Sequence, residues 1–352
     1  MTETTTSGVS VSPERLRAAA RAIVEHGGST GREAWLVAEQ LVEANLTGHD
    51  SHGVIRLTQY VRGMERGQID PHAQLEVLRE TSTTALVDAH WAFGQIAARR
   101  AMEIAIEKAR QHALGAVGLR NSGHIGRLGE YALMAVEHGM IGFVTCNSSQ
   151  LTAPYGGVDR VFGTNPFAYA FPRSGQPFLM DFATSVAAEG KLRVAMSKGV
   201  PIPEGWILDR DRNPTTDPAD FYDGGVILPL GGHKGYGFLM VADLLGGALT
   251  GHGCTSLPEH STGNGVFLMA MDIAAFCPVE ELTDTVDRLS AHIKASRKAP
   301  GFDEILIPGE PEFRAKAQRE RDGITLPVAT WQEMVEVAGQ YGLTEGALLG
   351  EG

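Results

Sequence analysis

The sequence predicts an α/β protein in which helices cover a β-sheet and helical segments from both chain ends form a second unit. Three observations lead to this prediction. The first 70 residues have helical apolar spacing, strand-like runs alternate with amphipathic helices from Thr84 onward, and helical spacing returns after residue 300. We therefore expect residues 1–78 to pack with the C-terminal helices of 300–352, and residues 79–299 to form the α/β domain.

Helix-start signals divide the N-terminal part into three helices. Ser12 and Pro13 have the typical order of an N-cap and a first helical residue, and Thr30 and Glu33 have capping-box spacing. The predicted helices span 13–25, 34–45 and 57–66. The segment 49–56 therefore lies at a junction between two helices, where side chains can point into a cleft.

The rest of the chain predicts strands and helices in alternation. The predicted strands are 85–88, 115–119, 141–146, 167–171, 178–182 and 265–271. The predicted helices are 95–112, 129–138, 187–198, 236–249, 279–296, 310–321 and 330–341. Residues 212–225 are rich in Pro, Asp, Asn and Gly, which predicts a surface loop.

Composition narrows the class of protein. Hydrophobic residues make up 43% of the chain and charged residues 20%, which is typical of a soluble globular protein. The net charge of −12, without clustered Lys and Arg, argues against a nucleic-acid surface. The longest apolar run, 238–249, is too short to span a membrane. Three scattered cysteines and a polar start without an apolar signal segment predict a cytoplasmic protein.

The densest group of chemically capable side chains is His49-Asp50-Ser51-His52-Gly53-Val54-Ile55-Arg56. A histidine can give or take a proton near neutral pH, and an arginine can hold a carboxylate with two hydrogen bonds. Arg56 follows His52 by four residues, on the same face if the turn is helical. This pair suits the reduction or oxidation of a small keto or hydroxy acid. The alternative for His52 is a structural histidine whose ring bonds to the backbone at a helix end.

Two glycine-rich segments indicate that the backbone approaches a ligand closely. Residues 123–129 have the pattern G-x-x-G-x-x-G between a strand and a helix, with His124 inside it. Neither the Rossmann pattern G-x-G-x-x-G at a strand–helix junction nor a P-loop is present, which disfavours a Rossmann domain. Residues 231–237 open a predicted helix with Lys234 near its start, which suits a phosphate or carboxylate. A glycine-rich turn with a solvated lysine has the same pattern.

Asp181 interrupts an apolar strand, where a carboxylate is costly unless it is hydrogen-bonded or paired. It could orient a histidine, or it could cap a helix that begins near Thr184.

We expect no metal. His49 and His52 are three residues apart, but the sequence contains neither a second ligand cluster nor H-E-x-x-H.

Five motifs taken together resemble one family over most of the chain, from about Pro13 to Tyr341. They are Asp50-Ser51-His52-Gly53-Val54-Ile55-Arg56-Leu57, Asn121-Ser122-Gly123-His124-Ile125-Gly126, Phe162-Gly163-Thr164-Asn165-Pro166, Met180-Asp181-Phe182-Ala183-Thr184-Ser185 and Gly231-Gly232-His233-Lys234-Gly235-Tyr236-Gly237. The family is that of the malate/L-lactate dehydrogenases unrelated to the Rossmann enzymes, with relatives such as ureidoglycolate dehydrogenase, sulfolactate dehydrogenase and piperideine-2-carboxylate reductase. One departure is Ile125, where many members carry an aromatic residue.

The resemblance implies an NAD(P)-dependent oxidoreductase with its own α/β cofactor fold, working as a homodimer on a small 2-hydroxy or 2-oxo acid. The residues matching Ser51, His52 and Asp181 are expected to form a proton relay, with His52 donating as an imidazolium favoured by Asp181. Arg56 would bind the substrate carboxylate, and His124 would lie near substrate and nicotinamide. The implied cofactor contacts are Thr164, Thr184, Ser185, His233, Lys234 and Gly235.

Three alternatives remain open from the sequence. Within the same family, a reductase of cyclic imino acids is the runner-up, because those substrates also carry a carboxylate next to the reducible carbon. A metal-dependent hydrolase or lyase built on the histidine cluster is a second class, and a non-catalytic binding protein is a third. The sequence does not distinguish NAD from NADP.

Overall fold

The computed structural model describes residues 8–260 and 262–350. The strands are β1 (Gly8–Val11), β2 (Glu76–Glu80), β3 (Thr84–Asp88), β4 (Leu114–Ser122), β5 (Met140–Cys146), β6 (Phe167–Phe171), β7 (Phe178–Phe182), β8 (Ile207–Leu208), β9 (Pro214–Thr215), β10 (Val226–Ile227), β11 (Asn264–Asp272) and β12 (Ile324–Pro327). The helices are α1 (Pro13–His26), α2 (Gly31–Leu46), α3 (Leu57–Glu65), α4 (Gly94–His112), α5 (Gly129–Val136), α6 (Glu189–Lys198), α7 (Ala219–Tyr222), α8 (His233–Asp243), α9 (Val279–Lys294), α10 (Glu310–Asp322), α11 (Val328–Gln340) and α12 (Glu345–Leu349).

The central sheet has seven strands in the order β2-β3-β4-β11-β5-β6-β7. Strands β3 and β4 run parallel, and the other neighbouring pairs of this sheet are antiparallel. A Rossmann sheet is instead mostly parallel, with its ligand at a switch in strand order. The topology therefore confirms the prediction of an α/β fold that is not of the Rossmann type.

The main core lies between this sheet and helices α4 and α5. The inward face of α4 consists largely of alanines, among them Ala97, Ala101 and Ala105, all with no exposed surface. Such small side chains let the helix lie close to the apolar residues of β4 and β11, such as Leu119 and Leu268. This packing fixes the position of the loop between β4 and α5, which carries His124.

Helices from the two chain ends share a separate apolar core. Leu16, Ile23 and Leu41 of α1 and α2 are fully buried in the same apolar cluster as Trp331 and Val337 of α11. Strands β1 and β12 add an antiparallel pair that joins the two ends of the chain. Ion pairs extend the contact, because Lys316 Nζ of α10 lies 2.7 Å from Glu43 Oε1 and Arg319 Nη1 lies 2.7 Å from Asp50 Oδ1. Helix α10 therefore braces the junction that follows α2.

A small third layer, which the sequence did not predict, covers one side of the site. Strands β8, β9 and β10 form a three-stranded antiparallel sheet whose core includes Leu192, Ile207 and Phe221. Residues 212–225 lie mostly at the surface, as predicted, but they contain β9 and α7, so the prediction of a loop was wrong for these two short elements. Strands of two residues give no visible alternation, and Phe221 supplies the apolar anchor that orders the segment.

Most predicted elements are confirmed, and β6 and β7 have the predicted bounds. The helix predicted over 236–249 differs, because it begins at His233 and changes to a π-helical turn at Leu244–Ala248. Gly232, with φ of 65°, provides a backbone conformation at the start that other residues rarely adopt. Within residues 8–260 and 262–350, the helices are too short or too polar to cross a membrane.

Candidate active site

Asn45, near the end of α2, holds the turn that carries the two candidate catalytic side chains. Its Oδ1 accepts a hydrogen bond from the Val54 backbone N–H at 2.9 Å, and its Nδ2 donates to Asp50 Oδ1 at 2.7 Å. Gly53 permits this contact, because a Cβ there would lie 2.2 Å from Asn45 Oδ1. The segment 50–56 therefore folds as two consecutive 3-10 turns with fixed side-chain directions.

Ser51 and His52 are joined through their side chains, since Ser51 Oγ lies 3.0 Å from His52 Nδ1. Helix α6 packs directly against this pair at Gly190, where a Cβ would lie 2.2 Å from Ser51 Cβ. Glycine at this position lets the third layer close over the serine. Within the described residues, the other ring nitrogen of His52, Nε2, has no hydrogen-bond partner.

Burial determines the protonation state of His52. Removal from water, together with the positive charges of Arg56, His49 and Arg127, lowers the pKa of His52 to about 3. The ring is therefore neutral near pH 7 in the unliganded protein, which differs from the imidazolium expected from the sequence. The physical reason is that cations surround the ring, while the carboxylate expected to favour its charged form is bound elsewhere.

That carboxylate, Asp181, faces Arg127 and the first turn of α5. Its Oδ2 accepts a hydrogen bond from the Gly129 N–H at 2.7 Å and lies 3.5 Å from Arg127 Nε. Asp181 thus caps α5 and not a helix that follows its own strand. Among the described residues, it also makes no hydrogen bond to the Ser51–His52 pair.

A chain of hydrogen bonds orients the ring of His124. Gln95 Nε2 donates to Tyr60 Oη at 2.7 Å, and Tyr60 Oη lies 2.9 Å from His124 Nδ1. Because the phenol already receives a hydrogen from Gln95, we assign its own hydrogen to Nδ1, which leaves His124 Nε2–H as a donor. Burial, followed by the charges of Arg56 and His52, holds the pKa of His124 well below its usual range. His124 is therefore a neutral donor near pH 7.

Arg56 connects the two histidines electrostatically. Its Nε donates to the Ser51 carbonyl oxygen at 2.7 Å, and its Nη1 donates to Gln59 Oε1 at 3.0 Å. Its charge is among the causes that lower the pKa of both His52 and His124. The backbone bond to Ser51 keeps the guanidinium beside the catalytic turn, although Arg56 is not among the described residues that line either of the two cavities given below.

A cavity of about 750 Å³ opens on the His52 side of the site. This volume lies within the ~300–1,000 Å³ typical of ligand and cofactor sites. Its polar lining consists of His49, Asp50, Ser51, His52, Arg127, Thr164, Asp181, Ser185, Lys191 and Glu312. Its apolar wall includes Val186, Val194, Ile202, Trp206 and Leu230. We refer to it below as the large cavity.

A second cavity, of about 140 Å³, lies on the His124 side. Its lining mixes polar and apolar groups and includes Gln59, Tyr60, Gln68, Trp91, His124, Ser148, Ser149 and Asn264. The rings of His52 and His124 are stacked, with centroids 5.6 Å apart, and His52 lines the large cavity while His124 lines this one. We refer to this second space as the small cavity.

The predicted cofactor contacts fall into two groups. Thr164 and Ser185 line the large cavity. Thr184 is fully buried, and its Oγ1 donates to the Asn165 carbonyl oxygen at 2.9 Å, so its side chain holds two loops together. Thr184 therefore supports the cavity wall from behind.

His233, Lys234 and Gly235 form the first turn of α8 and, within the described residues, are outside the lining of the large cavity. Their link to it is through the backbone. The Gly235 N–H donates to the Leu230 carbonyl oxygen at 2.9 Å, and Leu230 lines the cavity. The glycine is required here, because a Cβ would lie 2.1 Å from that oxygen.

The sequence interpretation missed three residues of this site. Tyr60 lies four residues after Arg56, a spacing that could have been noticed on a helix face. Arg127 stands inside the glycine-rich segment that contains His124, so it too had a local signal. Gln95 had no local sequence signal, because its role depends on the fold that brings α4 beneath Tyr60.

The described residues also bear on the metal alternative. Across 8–260 and 262–350, no group of three or more His, Cys, Asp or Glu side chains converges as metal ligands would. The histidines at 49 and 52 have other partners, Glu312 at 3.7 Å and Ser51 at 3.0 Å.

Comparison with known proteins identifies the family. A model of the family described as malate/L-lactate dehydrogenase matches residues 11–335. Malate dehydrogenase from Pyrococcus horikoshii is 42% identical over 322 residues, covering 88% of this chain and 89% of that protein. The solved structure of malate dehydrogenase from Pyrococcus horikoshii OT3 has a TM-score of 0.88 at 38% identity, over 96% of both chains. The structure of Δ1-piperideine-2-carboxylate reductase from Pseudomonas syringae pvar. tomato has a TM-score of 0.82 at 29% identity, over 94% of this chain and 100% of that one.

The fold and the matched length define the class of protein as an oxidoreductase. The chain belongs to the malate/L-lactate dehydrogenase family. It is a dehydrogenase that acts on a CH–OH group, and its family implies a nicotinamide cofactor. The resemblance inferred from the five motifs is thereby confirmed.

Proposed function

We propose that the protein transfers a hydride between a nicotinamide dinucleotide in the large cavity and a small 2-hydroxy or 2-oxo acid of the malate or lactate type. The acid extends from the His124 side to His52, which exchanges its proton. The observation that carries this proposal is the pair of stacked imidazoles, each lining a cavity of different size. A cavity of about 750 Å³ suits a dinucleotide, and one of about 140 Å³ suits an acid of a few carbon atoms.

The residues around the large cavity fit a nicotinamide cofactor. Its apolar wall, with Trp206 and Val194, suits flat rings, and the buried guanidinium of Arg127 has nitrogens without acceptors. Thr164 and Ser185 would hold the cofactor there, and Thr184 would fix the wall behind it. The cofactor, when bound, accepts or supplies the hydride.

His52 exchanges the proton that accompanies the hydride. Since its ring is neutral, the two nitrogens share the transfer: Nε2–H gives its proton to the substrate oxygen, Nδ1 takes the hydrogen of Ser51 Oγ, and Ser51, which lines the large cavity, takes a replacement proton from solvent water there. In the opposite direction, Nε2 accepts the hydroxyl proton, Nδ1–H passes one to Ser51 Oγ, and Ser51 gives up its own proton to solvent water. This relay needs no imidazolium, which the low pKa of His52 disfavours. Asp181 acts indirectly in this scheme, by holding Arg127 and α5 beside the relay.

Arg56 and His124 position the substrate. The guanidinium of Arg56 binds the carboxylate next to the reacting carbon, as arginine forks commonly do. His124 Nε2–H, oriented by Tyr60, is a neutral donor for the same group. A bound carboxylate also offsets the charge of Arg56 and raises the pKa of His52, so substrate binding makes the ring a better acceptor of the hydroxyl proton in the oxidation direction.

Reduction of a cyclic imino acid is the second candidate. The likeness to Δ1-piperideine-2-carboxylate reductase favours it, and such a substrate would present an imine nitrogen to His52 in place of the oxygen. The carboxylate would bind Arg56 in the same way.

Two copies of the chain would pair through the outer face of α8 and the π-helical turn after it. Phe238, Val241 and Leu244 recur at helical spacing and are 49%, 44% and 52% exposed. Contiguous exposed apolar side chains of this kind mark association surfaces. We propose a homodimer at this face.

We also propose that the protein works in the cytoplasm, because its three free cysteines suit a reducing environment.

A panel of substrates with both cofactors tests the proposal. NADH and NADPH would each be combined with pyruvate, oxaloacetate, 2-oxobutyrate and piperideine-2-carboxylate, and loss of nicotinamide absorbance would be followed. Oxidation of cofactor with an oxo acid is expected. Turnover with the imino acid alone would favour the second candidate, and the absence of turnover with the whole panel would contradict both.

A further inference from the structure

Arg127 is a buried cation whose hydrogen-bonding groups are left without partners. Its side chain is 2% exposed, and neither Nε nor Nη2 has an acceptor among the described residues. A buried guanidinium is costly unless its charge and its N–H groups are both satisfied. Arg127 lines the large cavity, as His52 does, so a ligand in that cavity can accept the hydrogen bonds that the described residues do not.

The neighbouring carboxylates do not complete the site. Asp181 Oδ2 is 3.5 Å from Arg127 Nε, beyond a good hydrogen bond, and it already accepts from the Gly129 N–H at 2.7 Å. Glu312 lines the same cavity, with its Oε1 3.7 Å from His49 Nε2, and its buried Oε2 has no hydrogen-bond partner among the described residues, so it does not bond Arg127 either. The guanidinium of Arg127 therefore keeps N–H groups that have no hydrogen-bond acceptor among the described residues.

We propose that Arg127 binds the diphosphate of the dinucleotide cofactor. This inference rests on the proposed function. A dinucleotide brings negative charge into a cavity lined by Asp50, Asp181 and Glu312, in a protein of net charge −12. An anion there needs a cation, and a guanidinium forks onto phosphate oxygens through two parallel hydrogen bonds. Lys191 also lines the cavity, but it is exposed on α6 and strongly hydrated.

The position of Arg127 separates it from the substrate carboxylate. The charge of Arg127 lowers the pKa of His52 but is not among the causes that lower the pKa of His124. The charge of Arg56, in contrast, lowers the pKa of both histidines. Arg127 also lines the large cavity, while the small cavity has His124 in its wall. The two arginines therefore serve different ligands.

Direct binding measurements test the inference without relying on turnover. Affinities for ADP-ribose, NADH and adenosine would be measured by calorimetry for the wild type, Arg127→Gln and Arg127→Lys. The glutamine variant is expected to bind ADP-ribose and NADH about 10- to 100-fold more weakly, because charged hydrogen bonds are lost, with adenosine unaffected. The lysine variant, which keeps the charge without the fork, is expected to lie between them. Arg100→Gln, on the exposed face of α4, is the control for a lost positive charge and should bind like the wild type.

Specific outcomes would overturn the inference. Unchanged ADP-ribose affinity in Arg127→Gln would exclude a diphosphate contact. Unchanged NADH affinity with a raised KM for oxaloacetate, but not for pyruvate, would assign Arg127 to a second acid group of the substrate. A thermal midpoint measured for each variant shows whether it is folded. If Arg127→Gln does not fold, the affinities of Arg127→Lys and the wild type are compared instead. A wild type that binds neither NADH nor ADP-ribose would contradict the proposed function itself.

Discussion

The rings of His52 and His124 lie stacked, with centroids 5.6 Å apart and planes inclined by 21°. Burial lowers the pKa of both rings, so they meet as neutral groups and not as two repelling cations. His52 is tied to a serine, which suits proton exchange, whereas His124 is tied to a tyrosine that fixes it as a donor. The stack thus places two neutral imidazoles with different roles at the boundary between two cavities.

Two replacements of Arg56 separate the effect of its positive charge from the effect of its forked guanidinium. Arg56→Gln removes a cation that lowers the pKa of His52, so this pKa should rise from about 3 toward its ordinary value, although burial limits the rise. On acidification, His52 of this variant should therefore become protonated at a higher pH than His52 of the wild type, which moves the acid limb of the pH profile to higher pH. Arg56→Lys keeps the charge and should leave that pH limb in place, while both variants raise the KM for the acid. The pH profiles of kcat/KM for hydroxy-acid oxidation provide the test. An identical acid limb in the glutamine variant and the wild type would contradict the electrostatic link.

The pair of Asp181 and Arg127 should be coupled in stability. Asp181→Asn leaves a buried cation uncompensated and removes a charged acceptor from the Gly129 N–H, which should lower the unfolding free energy by about 3 kcal/mol. Arg127→Gln in the same chain should recover part of this loss, with a coupling energy of about 1 kcal/mol or more. Urea unfolding of the two single variants and the double variant measures this cycle. Strictly additive effects would show that the two side chains do not interact.

A charge placed on α8 should separate the proposed dimer. Phe238 is 49% exposed, and Phe238→Glu would bury a carboxylate in an apolar interface, which strongly disfavours association. Trp35→Glu is a matched control, because Trp35 is 50% exposed on a different helix, α2. Sedimentation equilibrium should give a monomer for the first variant and a dimer for the control. A dimer in both would place the interface elsewhere.

The sequence predicted what depends on local patterns. Ser51, His52 and Arg56 are close in the chain, so their proximity was visible, and the missing Rossmann glycines correctly indicated another α/β sheet. The partner of Asp181 was not predictable, because Gly129 of α5 is 52 residues away in the sequence and meets β7 only in the folded structure. The protonation of His52 depends on burial and on neighbouring charges such as Arg56 and Arg127, which no motif encodes. The domain bounds at 78/79 and 299/300 and the roles of the site residues remain predictions.

Turnover of His52→Ala tests the central claim most directly. Acid–base help from a positioned histidine is typically worth ~10²–10⁴-fold, so kcat with NADH or NADPH and the best oxo acid should fall by about that factor. Cofactor affinity, measured separately by calorimetry, should stay within about threefold, since His52 touches the reacting oxygen in this account and is not needed to hold the dinucleotide. A variant that keeps near-normal turnover would remove His52 from the proton transfer and contradict the account.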